Sequence, residues 1–303
     1  MIEIRRILCP IDYSEFSRRA LDHAIGIARW YGSTITILHV SEVMPVAAYA
    51  PVGPVVPPAL LAPGDRTAML AAMKKFAAEE AAPGVPMEFE IAEGRPVTEI
   101  LERATACDLL VLGTHGYSGF DRLVLGSITE KVLRKAGCPV LVVPCQVPDA
   151  VPIPSGLFKE ILCAVDFSAC SLRALEYAVS LAEEADARLT VMHVVELPPG
   201  TPADLESGVD LPLDLRTFVE DTKNDRRQRL HDIVPVNART YCTIDTVLAT
   251  GKPHREILRV AGERHAGLIV MGVHGHAAID VWLFGSTTHH IVRRATCPVL
   301  TLR

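Results

Sequence analysis

The chain has 303 residues, of which 49% are hydrophobic, and carries a net charge of −6 at pH 7. This length and apolar content suit two globular domains, and the lack of basic excess argues against a nucleic-acid-binding surface. No apolar run reaches the roughly 18 residues of a membrane-spanning helix, and MIEIRRILCPID leads into a strand-like run without a signal peptide. We therefore expect a cytoplasmic protein that binds neither nucleic acid nor membrane.

The eight cysteines agree with a reducing compartment. Cys9 and Cys163 lie in apolar runs. Cys138 and Cys297 each precede Pro-Val, and no two cysteines form a CxxC pair. We expect reduced, mostly buried thiols rather than disulfides or a metal site.

The sequence contains two copies of one pattern. Residues 7–40 and 161–194 share 14 identities over 34 ungapped positions, and residues 113–143 and 272–302 share 13 over 31. A period near 155 residues indicates a domain duplication rather than a solenoid, whose repeats are far shorter. We predict a domain at 1–147, a linker at 148–155 and a second domain at 156–303.

Each copy alternates short apolar runs with amphipathic stretches. In copy one the pattern predicts a helix after Ser14, and it predicts further helices and strands in alternation. The predicted strands are 7–11, 33–40, 87–91, 109–112 and 140–143, and the later helices are 73–82, 98–106 and 127–135. Such alternation indicates a parallel sheet covered on both faces. We therefore predict an α/β protein of two tandem three-layer α/β/α domains, each with a five-stranded, mainly parallel sheet.

Two Pro-rich segments interrupt this alternation. Residues 44–64 follow the second strand of copy one, and residues 197–213 occupy the same place in copy two. Because proline is poorly tolerated in helix interiors and sheet ladders, we predict a long loop at both places.

The same spacing of glycines occurs in both copies. Residues 113–127 (GTHGYSGFDRLVLGS) and 272–286 (GVHGHAAIDVWLFGS) both read G-x2-G-x9-G-S after an apolar strand. Parallel sheets bind ligands at strand ends where the strand order reverses. Glycines there permit positive φ and a close approach to bare backbone, and a helix N-terminus suits phosphate. The spacing predicts a cradle for a phosphorylated ligand, with tight turns plus a capping serine as the structural alternative.

An aspartate ends the first strand of each copy. Asp12 and Asp166 could accept a hydrogen bond from a ribose hydroxyl or hold Mg²⁺ through water. The alternative is a bond to the start of the following helix. Ser14 and Ser168 are placed to cap that helix.

Valines and histidines near these positions also have two interpretations. Val40 and Val194 end the second strands, where they would face a purine or pack in the core. His115 and His274 lie inside the glycine segments, where a histidine would assist attack of water on a phosphate or simply bond to backbone.

The motifs of well-known phosphate and acyl chemistry are missing. There is no G-x4-G-K-[ST] and no G-x-S-x-G, and Gly251-Lys252 is followed by proline. The histidines at 274, 276, 289 and 290 have no carboxylate or cysteine at ligand spacing. We therefore assign no catalytic residue and no metal ligand.

Three features together resemble the universal stress protein family over nearly the whole chain. They are ILCPIDYS and ILCAVDFS at the two starts, the paired glycine segments, and the endings CPVLVVP and CPVLTLR. The resemblance implies a Rossmann-like, adenine nucleotide alpha hydrolase-like fold. It also implies an ATP site in each copy, with or without Mg²⁺, because members that lack the glycine motif generally do not bind ATP. It further implies pairing of the two domains through their last strands and a homodimer.

The resemblance assigns matching residues of both copies to the nucleotide. The glycine motif holds phosphates and ribose, and the first-strand aspartate and backbone near the second strand hold the nucleoside. The candidate residues are Pro10, Asp12, Val40, Gly113, His115, Gly116, Arg122, Gly126, Ser127 and Thr129 in copy one, and Ala164, Asp166, Val194, Gly272, His274, Gly275, Gly285, Ser286 and Thr288 in copy two.

Copy two departs from copy one beside the glycines, where Val281 stands in the position of Arg122. If Arg122 neutralises phosphate, copy two loses that charge. We therefore expect copy one to bind nucleotide at least as tightly as copy two.

Three functions fit this sequence. The leading hypothesis is an ATP-binding regulator of the stress response, whose conformation or association follows nucleotide occupancy. A slow ATPase or nucleotidyl transferase would instead consume many ATP per site. A scaffold with vestigial sites, with residues 44–64 as a partner-binding arm, would purify without nucleotide and gain no stability from ATP.

Overall fold

A computed structural model of the chain describes residues 2–41, 63–78, 84–114, 125–144, 158–196, 213–273 and 285–303. The chain forms two compact units, Glu3–Cys145 and Gln146–Arg303, the latter including Met1–Ile2. Within the described ranges, no helix is long and apolar enough to cross a bilayer.

The first unit is a parallel sheet with helical crossovers. Its elements are β1 (Arg6–Ile11), α1 (Glu15–Tyr31), β2 (Thr34–Ser41), α2 (Pro63–Ala78), β3 (Met87–Glu93), α3 (Pro96–Ala104), β4 (Leu109–Gly113), α4 (Ser127–Lys135) and β5 (Val140–Val143). The strand order is β3-β2-β1-β4-β5, with every pair parallel. The order reverses between β1 and β4, because the chain runs outward to β3 and then returns to the other side of β1.

The second unit repeats this topology. Its elements are β6 (Glu160–Ala164), α5 (Ala169–Ala185), β7 (Arg188–Val195), α6 (Leu213–Asp232), α7 (Ala238–Tyr241), β8 (Ile244–Thr250), α8 (Pro253–Glu263), β9 (Leu268–Gly272), α9 (Ser286–Arg294) and β10 (Val299–Leu302). The order is β8-β7-β6-β9-β10, again all parallel. The predicted fold class is therefore confirmed.

The central strands are apolar along their length because a parallel sheet is covered on both faces. Leu109 to Leu112 of β4 and all of β5 are buried. In α1 the buried apolar residues recur at helical spacing, at Ala20, Leu21, Ala24, Ile27 and Ala28. Each helix of this kind therefore covers the sheet with one apolar stripe.

The Pro-rich segments end earlier than predicted. α2 begins at Pro63, so the last two residues of the predicted loop 44–64 are helical, and α6 begins at Leu213. Proline suits the first turn of a helix, where its missing N–H would have no partner. Residues 44–62 and 197–212 lie outside the described residues.

Candidate functional site

The carboxyl ends of β1 and β4 form the switch point of the first unit. Asp12 directly follows β1, and Gly113 ends β4. β1 pairs with β4 only at its beginning, whereas β6 stays paired with β9 through Ala164. The shorter ladder in copy one coincides with Pro10, which has no N–H to donate. The described candidates of each copy thus gather where open parallel sheets bind ligands.

The two aspartates are bonded to the start of the following helix. Asp12 Oδ1 accepts from the Ser14 N–H at 3.1 Å and from the Ser14 hydroxyl at 2.5 Å. Asp166 makes the same bonds with Ser168 at 3.0 and 2.6 Å. Ser14 and Ser168 cap α1 and α5, as predicted. Both aspartates therefore bond to the start of the following helix, which is the structural alternative that the sequence left open. Both side chains remain half-exposed at the switch point.

Gly113 and Gly272 are required by packing. Neither glycine has a positive φ, so the conformational freedom of glycine is not what either position requires. A Cβ on Gly113 would lie 2.9 Å from the Phe16 Cβ and 3.0 Å from its carbonyl oxygen. At Gly272 it would lie 3.0 Å from the Ser171 backbone nitrogen. The element that comes close to these glycines is therefore a protein helix: the first turn of α1 at Gly113 and the first turn of α5 at Gly272.

The helices that follow the glycine segments begin without a side-chain cap. The N-caps of α4 and α9 are Gly126 and Gly285, which make no side-chain cap bond. Ser127 and Ser286 are the first helical residues and are exposed, so neither is the cap. Because the first N–H groups of a helix lack an intrahelical acceptor, both helix starts can receive a phosphate.

The candidate threonines fasten these helix starts to the strand ends. Thr129 Oγ1 donates to the Gly113 carbonyl at 2.8 Å. Thr288 Oγ1 donates toward the carbonyls of Gly272 at 3.2 Å and Val273 at 3.3 Å. Both threonines are buried. Their hydroxyl protons are therefore used inside the protein, where they position the first turn of the helix.

The candidates on the first and second strands line the same sheet edge. Pro10 is half-buried near the end of β1, and Ala164 is buried at the end of β6. Val40 and Val194 lie in β2 and β7 and are half-buried. In each unit, two of these apolar residues thus lie on paired strands that lead to the aspartate of that unit.

A histidine that the sequence reasoning missed precedes each of these valines. His39 Nδ1 donates to the Ile11 carbonyl at 3.0 Å, and His193 Nδ1 donates to the Val165 carbonyl at 2.8 Å. Both bonds tie the second strand to the residue before the aspartate. The repeat could have pointed to these histidines, because His-Val occurs at the same position near the end of the second strand in both copies.

An aromatic ring also follows each aspartate. Tyr13 and Phe167 have φ of 63° and 65°. Their rings lie 4.8 Å from His39 and 4.5 Å from His193, measured between centroids. Each ring therefore packs against the histidine of the second strand.

Five candidates lie outside the described residues: His115, Gly116, Arg122, His274 and Gly275. In the part of the chain that is described, no three His, Cys, Asp or Glu side chains gather as a metal site.

An open groove of about 650 Å³ lies elsewhere in the second unit. It is lined by residues at the amino ends of β6, β7 and β8, among them Glu160, Arg188 and Ile244. This is the sheet edge opposite the switch point. The groove is therefore separate from the candidate site.

Comparison with known proteins agrees with the duplicated pattern. The universal stress protein family matches residues 3–144 and again residues 157–303. A universal stress protein of Methanocaldococcus jannaschii is 36% identical over 141 residues, covering 46% of this chain and 81% of that protein. One from Mycolicibacterium smegmatis is 26% identical over 307 residues, covering 98% of this chain and 96% of its own.

Solved structures show the same fold. A universal stress protein from Archaeoglobus fulgidus superposes with a TM-score of 0.65 at 24% identity, covering 99% of this chain and 97% of its own. Another universal stress protein, 25% identical with a TM-score of 0.35, covers 47% of this chain and 98% of its own, and was solved in complex with cAMP. With the family matched twice along its length, the chain belongs to the universal stress protein family, as a tandem member.

Proposed function

We propose that this protein binds one ATP at each switch point and acts as a nucleotide-dependent regulator of the stress response rather than as a fast enzyme. One observation carries the proposal. In both copies a helix without a side-chain cap begins beside the strand end where the sheet order reverses. Such a helix start offers N–H groups and a positive dipole end to phosphate.

The residues divide into two groups around the ligand. The N–H groups that open α4 and α9, with the exposed hydroxyls of Ser127 and Ser286, would hold phosphate. The apolar residues beside Val40 and Val194 would contact the purine. Asp12 and Asp166 would accept hydrogen bonds from the ribose hydroxyls. His115, Gly116 and Arg122 complete the copy-one site in the proposal.

The regulatory part of the proposal follows from thermodynamics. A nucleotide shifts a conformational or association equilibrium only if it binds the two states with different affinity. No residue is assigned as a catalytic base, and Mg²⁺ would act as the counterion of the triphosphate. The alternative, a slow ATPase or nucleotidyl transferase, would consume many ATP molecules per site, whereas the regulator would not.

The proposal includes a cytoplasmic location. All seven cysteines of the described ranges are free thiols. Burial raises the pKa of Cys138 to about 11 and that of Cys297 to about 12. Such unreactive thiols suit a reducing compartment. The homodimer and the pairing of the two domains stay predictions of the family resemblance.

Addition of Mg-ATP should stabilise the nucleotide-free protein. At 100 times the dissociation constant, each occupied site adds about 2.7 kcal/mol to the free energy of unfolding of its unit. That raises the melting temperature by roughly 5–10 °C for a unit of this size. Differential scanning calorimetry with Mg-ATP measures this shift, with GTP as the control. An unchanged melting temperature contradicts the proposal, and steady consumption of many ATP per site favours the enzyme alternative.

A further inference from the structure

Two arginines of α6 cover the aromatic ring that follows Asp166. The guanidinium carbon of Arg229 lies 4.4 Å from the centroid of Phe167, and that of Arg226 lies 5.8 Å from it. Phe167 is only 8% exposed. A guanidinium contacts an aromatic ring through its flat face, while its N–H groups point outward in the plane of the guanidinium. The N–H groups therefore stay available to an anion.

The ring that these two cations cover lies at the switch point, because Phe167 directly follows Asp166 and its centroid is 4.5 Å from that of His193. The pKa of His193 is lowered by burial first, and also by Arg226 and Arg229, while its bond to backbone and Asp166 oppose that change. The two guanidiniums, the aspartate and the histidine thus share one neighbourhood. The charge of Arg226 is only partly offset, by exposed Asp225 at 3.8 Å. Arg229 makes no ion pair within the described ranges.

Copy one places an apolar ring where copy two places these cations. Tyr13 takes the position of Phe167, and its ring contacts Phe76 of α2 edge-on at 5.6 Å. Arg18 lies over the Phe76 ring, with its guanidinium carbon 4.4 Å from the ring centroid. The equivalent of Arg18 in copy two is Leu172. The ring that follows the aspartate is therefore covered by an apolar side chain in the first unit and by two cations in the second unit.

We propose that Arg226 and Arg229 determine specificity in copy two, by attracting the negatively charged groups of its nucleotide from the α6 side of the switch point. The inference rests on the nucleotide binding proposed above. It gives copy two a source of positive charge where the position of Arg122 is occupied by Val281. Copy two should then discriminate nucleotides by charge, and more strongly at low salt.

The test is calorimetric titration of the full-length double variant Arg226→Gln/Arg229→Gln with ATP and, separately, with adenosine. Removal of two cations near the ligand should weaken ATP binding at one of the two sites about tenfold or more. Adenosine has no phosphate, so its affinity should stay the same. The salt dependence of ATP binding at that site should also become shallower.

Arg227→Gln is the matched control, because it removes the same charge from the same helix. Arg227 bonds to exposed Asn224 at 2.8 Å and should be replaceable without effect. Arg229→Gln alone should also weaken ATP binding, whereas Arg229→Lys, which keeps the charge without the stacked guanidinium, should retain clearly more affinity for ATP than Arg229→Gln.

Three results would overturn the inference. They are a double variant that binds ATP like the Arg227→Gln control, equal weakening of ATP and adenosine, and an Arg229→Lys protein as weak as Arg229→Gln. The last two would assign the arginines a purely structural contact with Phe167. A wild-type protein that binds neither ligand would refute the proposed function itself, which separates the two failures.

Discussion

Replacing Ser127 or Ser286 with glutamate is expected to remove nucleotide from one copy while the fold stays intact. Both serines are the exposed first residues of a helix. A carboxylate there interacts favourably with the helix dipole, so stability should be kept or slightly raised. The same carboxylate repels phosphate by about 1–4 kcal/mol for charges 4 Å apart. ATP affinity at that site should fall on the order of 100-fold.

Equilibrium titration with ATP, alongside thermal unfolding, measures both halves of this expectation. The matched controls are Ser127→Gln and Ser286→Gln, which have nearly the same size without the charge. They should retain much more affinity than the glutamate variants. Glutamate variants that bind ATP like the wild type would show that phosphate does not lie at these helix starts.

Gly113→Ala and Gly272→Ala are expected to destabilise the unit that carries them. The added methyl group would meet the first turn of α1 or α5 at 2.9–3.0 Å, and in both cases backbone atoms are involved. Overpacking of this kind costs about 1–3 kcal/mol. Urea unfolding should show a lower midpoint for the altered unit and an unchanged midpoint for the other.

Two other glycines serve as controls for these variants. A Cβ on Gly137 or Gly262 would meet no atom within 4 Å, and neither glycine has a positive φ. Gly137→Ala should be neutral. Gly262→Ala lies in α8 and should stabilise by about 0.5–1 kcal/mol, because alanine favours helix. If Gly113→Ala is as stable as Gly137→Ala, the packing explanation is wrong.

These variants also guard against a misinterpretation of binding data. Loss of ATP from a Gly113 variant would follow from displacement of α1 as well as from a lost contact with the ligand, because the added methyl group meets Phe16. The serine variants leave that packing untouched. They therefore report on the ligand, and the glycine variants report on the fold.

Much of the fold could be predicted because its signals are local. Continuous apolar runs such as 109–112 and 140–143 predict buried parallel strands, and Ser14 marks the start of a helix. The conformation of Gly113 could not be predicted, because the sequence shows a glycine spacing but not the neighbour that demands it. That neighbour, Phe16, lies far away in the chain and meets β4 only in the folded unit.

Only part of the proposed site could be predicted, for the same reason. The repeat identified Asp12, Asp166 and both helix starts. Arg226 and Arg229 could not be distinguished from Arg227, because α6 is polar on most of its surface and only contact with Phe167 sets two of the three apart.

The most direct measurement is the amount of adenine nucleotide released when the purified, undialysed protein is denatured, quantified per chain by chromatography and mass spectrometry. We predict one ATP for each of the two copies. A single ATP would mean that the copies have diverged in affinity, with the Arg122/Val281 difference and the α6 arginines as the first residues to test. Protein free of nucleotide, whose melting temperature Mg-ATP also leaves unchanged, would contradict the account and favour a scaffold with vestigial sites.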